Sequence, residues 1–260
     1  MSAVGDLIAG LAGGDVELID LTVPLTERTP VINLPPPFAN TRGLSLEEVS
    51  RYDDRGPGWY WNNITIGEHA GTHFDAPAHW VTGRDKATVD RVPPRHLVAA
   101  AAVVDIADEC AGDPDHLLEV ADLKRWQEEH GPLPEGGWLL LHTGWDRRAD
   151  DPAAFLNTDD SGSHTPGPSA ACARWIAEES PVIGLGVETV GTDAGLAGTF
   201  DPPFPCHTFM HGAGKYGLTS LVGLDRLPPT GIMLVVAPLP IVGGSGSPAR
   251  AYALAPRGSR

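Results

Sequence analysis

Basic residues are scarce in this chain. Its 260 residues include 18 Lys and Arg against 34 Asp and Glu, a formal net charge of −16. Such a surface repels phosphate backbones and anionic lipid headgroups, which argues against nucleic-acid and membrane partners. Cysteine is equally thin. Cys110, Cys172 and Cys206 are odd in number, far apart and never in a C-x-x-C arrangement, which excludes a disulfide framework and a thiolate zinc site. No apolar run approaches the length of a membrane span. The amino terminus, MSAVGDLIAGLAGG, has no Lys or Arg and interrupts its apolar run with Asp6. It lacks the n-region and h-region of a secretory signal, so a cytoplasmic protein is expected.

Turn-forming residues, in contrast, are plentiful: 31 Gly and 25 Pro, spread evenly and marking no linker. With 42% hydrophobic residues, one large domain over 1–260 is expected. Strands are read at VELIDLTV (from 16), WNNITIG (61), LVAAAAVVDI (97), WLLLHT (138), VIGLGVE (182), IMLVVAPL (232) and ARAYAL (249). Helices are read in PDHLLEVADLKRWQEEHG, ending at Gly131, and in GPSAACARWIAEES, with a proline in its first turn and Pro181 after its last. A third, shorter helix is expected from about Pro205 to Gly212–Gly214. Strands and helices interleaved in this way predict an α/β domain with a mixed sheet.

Residues 68 to 80, EHAGTHFDAPAHW, concentrate three histidines, a glutamate and an aspartate in the pattern His69-x3-His73-x-Asp75-x3-His79. The spacing of His69 and His73 would suit one face of a helix. Gly71 disfavours a helix, however, Pro77 removes a backbone donor, and the preceding NNITI alternates as a strand does. A strand with a tight loop is expected instead, with His73 and Asp75 on one face and a turn at Ala70–Gly71 bringing His69 round to them. Two imidazoles and one carboxylate leave coordination positions open, as catalytic metal sites do. Any one of these residues in such a loop would ordinarily satisfy backbone groups. Together they point to metal ligation by His69, His73 and Asp75, with His79 as a proton-transfer group. Glu68 falls on the opposite face from His69 and is expected at the surface or behind the ligands.

HAGTHFDAPAH resembles the H-x-G-T-H-x-D-x-P-x-H motif of the metal-dependent cyclase family, which includes bacterial kynurenine formamidases, isatin hydrolases and proteins linked to polyketide ring formation. The resemblance runs from LIDLTVPLTERTPV at 18 through HTPGPS at 164 and GVETVGTDAG at 186 to GSGSPARAYAL at 244. It implies a divalent metal on His69, His73 and Asp75, His79 as the acid/base residue, a layered β/β/α swivelling fold and a homodimer. In formamidase-like members a His is followed twelve residues later by a Glu in an E-N-L run, and both hold a second metal bridged by the aspartate. Here His207 takes the first position, and Thr219 and Ser220 stand where Glu and Asn would. A neutral hydroxyl offsets none of the repulsion between two dications, so one metal per chain is expected. This side of the split resembles the isatin hydrolases, in which the equivalent His and Ser are associated with a path for water or protons. The resemblance passes that role to His207 and Ser220. His211, one turn beyond, is read as a packed histidine.

Trp59, Tyr60 and Trp61 precede the motif and Trp80 follows it, so Trp59, Trp61 and Trp80 are candidate walls for a planar substrate. Glu188, Thr189 and Asp193 follow a strand, at the end where α/β sites commonly form. These readings converge on a metal-dependent hydrolase of a small molecule, opening a cyclic amide as isatin hydrolases do, isatin to isatinate. The ligand types suit manganese as well as zinc, and the resemblance to the isatin hydrolases implies manganese, with zinc as the alternative. The rivals are a polyketide-type cyclase, an arylformamidase of the kynurenine formamidase type, and a non-catalytic binding protein. With an ordinary imidazole pKa near ~6.5, His79 would make activity fall on the acid side.

Overall fold

The Val-, Ile- and Leu-rich runs become strands of one large sheet. The computed structural model describes residues 2–32, 34 and 37–258. Its principal strands are β1 (Val16–Asp20), β2 (Ser45–Asp53), β3 (Gly56–Thr65), β4 (His73–Asp75), β5 (Val98–Asp105), β6 (Trp138–His142), β7 (Gly184–Val187), β8 (Tyr216–Thr219), β9 (Ile232–Pro238) and β10 (Gly246–Pro256). The α-helices are α1 (Ala3–Gly13), α2 (Ala107–Gly112), α3 (Val120–His130), α4 (Pro152–Leu156) and α5 (Ala170–Glu178). Eight strands form a mixed sheet in the order β1-β10-β9-β5-β6-β7-β8-β4. Strands β5 to β8 are mutually parallel, and the other pairings are antiparallel. The start of β10 also pairs with β4, Gly246 opposite Asp75 and Pro248 opposite His73, so the sheet closes on itself at the histidine-rich motif. The expected α/β class with a mixed sheet is what the chain adopts.

Both faces of the parallel strands are buried, which is why they read as continuous apolar runs rather than alternating ones. Trp138 and Leu140 join Phe74, Tyr216, Leu218 and Ala251 on one side. Leu139 and Leu141 join Leu123, Trp126 and Ile176, contributed by α3 and α5, on the other. All three cysteines are buried and free, and no described helix is long and apolar enough to cross a membrane.

Some local expectations need correction. Helix α5 starts at Ala170, capped by the Ser169 hydroxyl on the Cys172 N–H at 3.2 Å. Pro168 instead pairs with Leu118 in a short parallel bridge, so the proline precedes the cap rather than filling the first turn. Helix α3 starts only at Val120, because Glu119 and Asp122 form a reciprocal capping box there. Helix α1 and strand β2 were not anticipated. The first buries no residue, and the second, SLEEVSRYD, carries its charges without a clean apolar alternation. The short helix expected after Pro205 is a π-helical turn, Cys206–His211.

Trp138 ties the inner side together. Its indole N–H donates to the His96 carbonyl at 3.0 Å, and its ring lies 6.1 Å from both Tyr216 and Phe74. Trp138→Ala is expected to lower the unfolding free energy by about 3–5 kcal/mol. The measurement is a urea midpoint at unchanged m-value, and a loss under about 1 kcal/mol would mean that the core collapses around the deletion.

Candidate metal and active site

Strand β4 is three residues long, and its register decides what each residue faces. Phe74 enters the apolar core opposite Leu218. His73 and Asp75 therefore share the other face, where they oppose Thr219 and Gly217. Only glycine fits at 217, because a Cβ there would stand 2.6 Å from Asp75 Oδ2. Gly71 takes a φ of +62°, the turn expected at Ala70–Gly71, and His69 returns to place Nδ1 2.7 Å from Asp75 Oδ1. His73 Nε2 lies 3.4 Å from the same oxygen.

The outer nitrogens of both rings are already engaged. His73 Nδ1 donates to the Gly71 carbonyl at 2.8 Å. His69 Nε2 donates to Ser245 Oγ at 2.8 Å, since that hydroxyl donates onward to Glu68 Oε2 at 2.6 Å. Glu68 thus stands behind His69, as expected. Two imidazole lone pairs are left converging on one carboxylate oxygen, an arrangement that a cation among them would satisfy. Metal-binding histidines are commonly held by a partner on the far nitrogen in this way, and the donor set fits a divalent metal.

A second wall comes from the turn Cys206–His211. Asp193 accepts from the backbone N–H of Cys206 at 2.6 Å, from that of His207 at 3.2 Å and from His207 Nδ1 at 2.5 Å. His79 stacks on His69 with ring centroids 3.8 Å apart, and lies 5.4 Å from His207 and 5.9 Å from His211. Trp80 closes the edge, its ring 4.8 Å from His207 and its indole N–H donating to Thr208 Oγ1 at 3.3 Å. Two sets of three candidate ligands result, His69–Asp75–His79 and Asp75–His207–His211, each with its ligand atoms within 4.8 Å of one another. Asp75 belongs to both. His211 is therefore part of the cluster as well as a packed side chain. The signal for it was its i, i+4 spacing from His207 on a helical turn.

Burial alone would raise the Asp75 pKa; His73 and His69 outweigh it and hold the carboxyl well below its usual range when they turn a proton toward it, a place that a bound cation would take when their lone pairs face it instead. Burial lowers His79 to about 3, with Asp75 opposing and His69, His207 and His211 adding to the shift. His79 is thus neutral at any ordinary assay pH, and an acid limb near ~6.5 is not its own. Burial likewise lowers His211, to about 4. For His207 burial acts downward too, but Asp193 more than compensates and the pKa is raised.

The Cyclase family model matches residues 19–194. The chain belongs to the Cyclase family. It is 45% identical over 259 residues to an isatin hydrolase of Roseibium aggregatum, covering 98% of each chain. Among solved structures, it resembles isatin hydrolase A from Ralstonia solanacearum (47% identity, 98% of each chain, TM-score 0.95). An isatin hydrolase bound to the product analogue thioisatinate is equally similar (44% identity, 99% of this chain and 100% of that one, TM-score 0.95). A kynurenine formamidase of Salinibacter ruber is more distant, 29% identical over 195 residues, which are 73% of this chain and 77% of the relative.

Other candidate residues of this Cyclase-family chain fall as follows. Thr219 Oγ1 lies 2.9 Å from His73 Nδ1. Ser220 is buried with a φ of 53°; its N–H donates to the Thr189 carbonyl at 2.9 Å, and its own carbonyl accepts from Thr72 Oγ1 at 2.6 Å. Trp59 and Trp61 pack edge to face on β3, 6.2 Å apart, and share no ring contact or hydrogen bond with the cluster. They are 49% and 56% exposed. Glu188 also stands apart. Its Oε2 accepts from Thr143 N–H at 2.8 Å, Thr143 Oγ1 at 2.9 Å and Trp145 N–H at 3.1 Å. His142, 3.9 Å from Glu188 Oε1, lines a separate cavity of about 320 Å³ with Asp105, Trp126 and Asp225.

Burial pushes the Glu188 carboxyl up from 4.5 to about 7, against the opposing pull of His142. Between those values the folded chain keeps a proton that the unfolded chain has released. The group's contribution to stability is complete below pH 4.5 and is lost as the pH rises through about 7. Glu188→Gln is expected to remove this dependence, gaining on the order of 3 kcal/mol relative to wild type between pH 5 and pH 8. Urea unfolding at both pH values checks it; parallel pH profiles would mean that Glu188 is ionised in the folded chain at pH 5.

Proposed function

We propose that this chain is a metal-dependent hydrolase that opens a cyclic amide, converting isatin to isatinate. The observation that carries this reading is the near-full-length 45% identity to an isatin hydrolase, on a chain whose buried Asp75 is ringed by imidazoles. His69, His73 and Asp75 hold the metal; mixed imidazole and carboxylate ligands with open positions for oxygen suit manganese and zinc alike, and the resemblance to the isatin hydrolases puts manganese first. When bound, the metal supplies Lewis acidity that polarises a carbonyl and makes water acidic near neutral pH.

The protein's own residues handle the protons. His79, neutral at working pH, accepts the proton of the attacking water as the new C–O bond forms. Its low proton affinity favours passing that proton on to the ring nitrogen as the C–N bond breaks; without it the nitrogen is a poor leaving group. His207, whose proton affinity is supported by Asp193, serves with Ser220 as the path for water and protons to solvent. Trp80 forms one aromatic wall.

Residues 1–260 work as one catalytic domain in a homodimer. Tyr52, Trp59, Trp61 and Ile64 on the β2–β3 hairpin are 49–68% exposed, an aromatic surface suited to burial against a second copy. Such contact would bring Trp59 and Trp61 to a neighbouring substrate site.

Manganese-loaded protein is expected to turn over isatin in preference to N-formylkynurenine and simple lactones. Preference for N-formylkynurenine would favour an arylformamidase, and inertness toward all amides and lactams would favour ring closure. His79→Ala should keep its metal by elemental analysis while kcat falls by about 10²–10⁴. Metal loss in that variant would instead make His79 a ligand, as its place beside His69 and Asp75 would allow.

A further inference from the structure

His211 is the member of the imidazole cluster that the reaction above leaves without a task. It is 1% exposed. Its Nδ1 lies 3.1 Å from the Lys215 carbonyl, which can only accept, so the ring proton sits on Nδ1 and Nε2 carries a lone pair. Lys215 is itself pinned, its Nζ donating to the Ile176 carbonyl at 2.6 Å and the Ser180 carbonyl at 2.9 Å near the end of α5. The imidazole is thereby fixed in both tautomer and direction. Nε2 is buried and has no hydrogen-bond partner among the described residues, although its ring contributes to the set around Asp75 and His207. Asp75 donates nothing to it, and His207 Nδ1 is engaged by Asp193. A buried acceptor without a donor is costly, so this one suits a ligand that brings an N–H.

A cyclic amide brings one in a particular orientation. Closing an amide into a small ring forces its N–H and C=O onto the same side, whereas an open-chain secondary amide keeps them opposed. A ring carbonyl bound beside Asp75 therefore turns its N–H toward the groups around that carboxylate, where His211 stands. We propose that His211 Nε2 accepts the ring N–H of the bound cyclic amide, and that His211 thereby selects N–H lactams over N-substituted rings and open-chain amides. This rests on the hydrolase reading above. His211 transfers no proton and binds no metal; it is a specificity-determining residue that touches substrate.

The test pairs isatin with N-methylisatin as substrates, and 2-oxindole with N-methyl-2-oxindole as unreactive ligands, on manganese-loaded protein. Wild type should favour the N–H member of each pair. His211→Phe, which keeps a ring but has no acceptor, should cut kcat/KM for isatin and weaken 2-oxindole binding by about tenfold to a hundredfold. The N-methyl compounds should be nearly unaffected, so the preference collapses. His211→Asn, whose amide oxygen can accept, should restore part of it. Equal losses on both members of a pair, or loss of metal from His211→Asn by elemental analysis, would overturn the proposal. So would a wild-type protein that binds the two oxindoles alike, a result that needs no variant to fold. Wild type inert to every cyclic amide would remove the hydrolase reading and this proposal together; isatin turnover with an unchanged preference in both variants would remove this proposal alone.

Discussion

A carboxylate with almost no exposed surface must be neutralised where it stands, and Asp75 is such a carboxylate. The structure around it follows from that need. Strand β4 carries it between β8 and the start of β10, so the closure of the sheet and the assembly of the site are one event. Gly217 leaves room for its oxygens, and the turn at Gly71 brings His69 back onto it. The far nitrogens of His69 and His73 are tied to Ser245 and the Gly71 carbonyl. Their remaining lone pairs point at an oxygen that also carries electron density, a conflict that a cation would resolve.

The five histidines near Asp75 are chemically alike and are made different by what holds them. His207 leans on a carboxylate and keeps its proton affinity. His79 stacks on His69 among other imidazoles and loses it. His211 is fixed by a backbone carbonyl and becomes a pure acceptor. Three rings whose centroids lie 5.4–5.9 Å apart thus differ in how readily each takes a proton. The partners of these rings, Asp193, Ser245 and the Lys215 carbonyl, come from three separate loops, so the chemistry is set by tertiary contacts rather than by the motif.

That distinction also explains what could be read from the sequence. The convergence of His69, His73 and Asp75 and the turn at Gly71 were legible because they depend on local spacing and on glycine's conformational freedom. The α/β class was legible because doubly buried strands are continuous apolar runs. Start points of helices were less so, since Ser169 and Glu119 outcompeted the neighbouring prolines and leucines as caps. His211 is packed as read, but its place beside Asp75 was not legible, because a buried histidine looks the same in sequence whether its second nitrogen is satisfied or not. The tryptophans at 59 and 61 show the opposite limit. Nearness to the motif in sequence did not bring them to it, because β3 pairs with β2 in a hairpin of its own.

The most direct test of the centre is a manganese titration of chelator-stripped protein, followed by calorimetry and elemental analysis. One ion per chain is expected for wild type, and none in the same concentration range for Asp75→Asn, since the remaining ligands carry no charge. Two tightly held ions per chain, both needed for activity, would show that the Asp75–His207–His211 set is a second metal site. Manganese bound by Asp75→Asn with wild-type affinity would contradict the role given to that carboxylate.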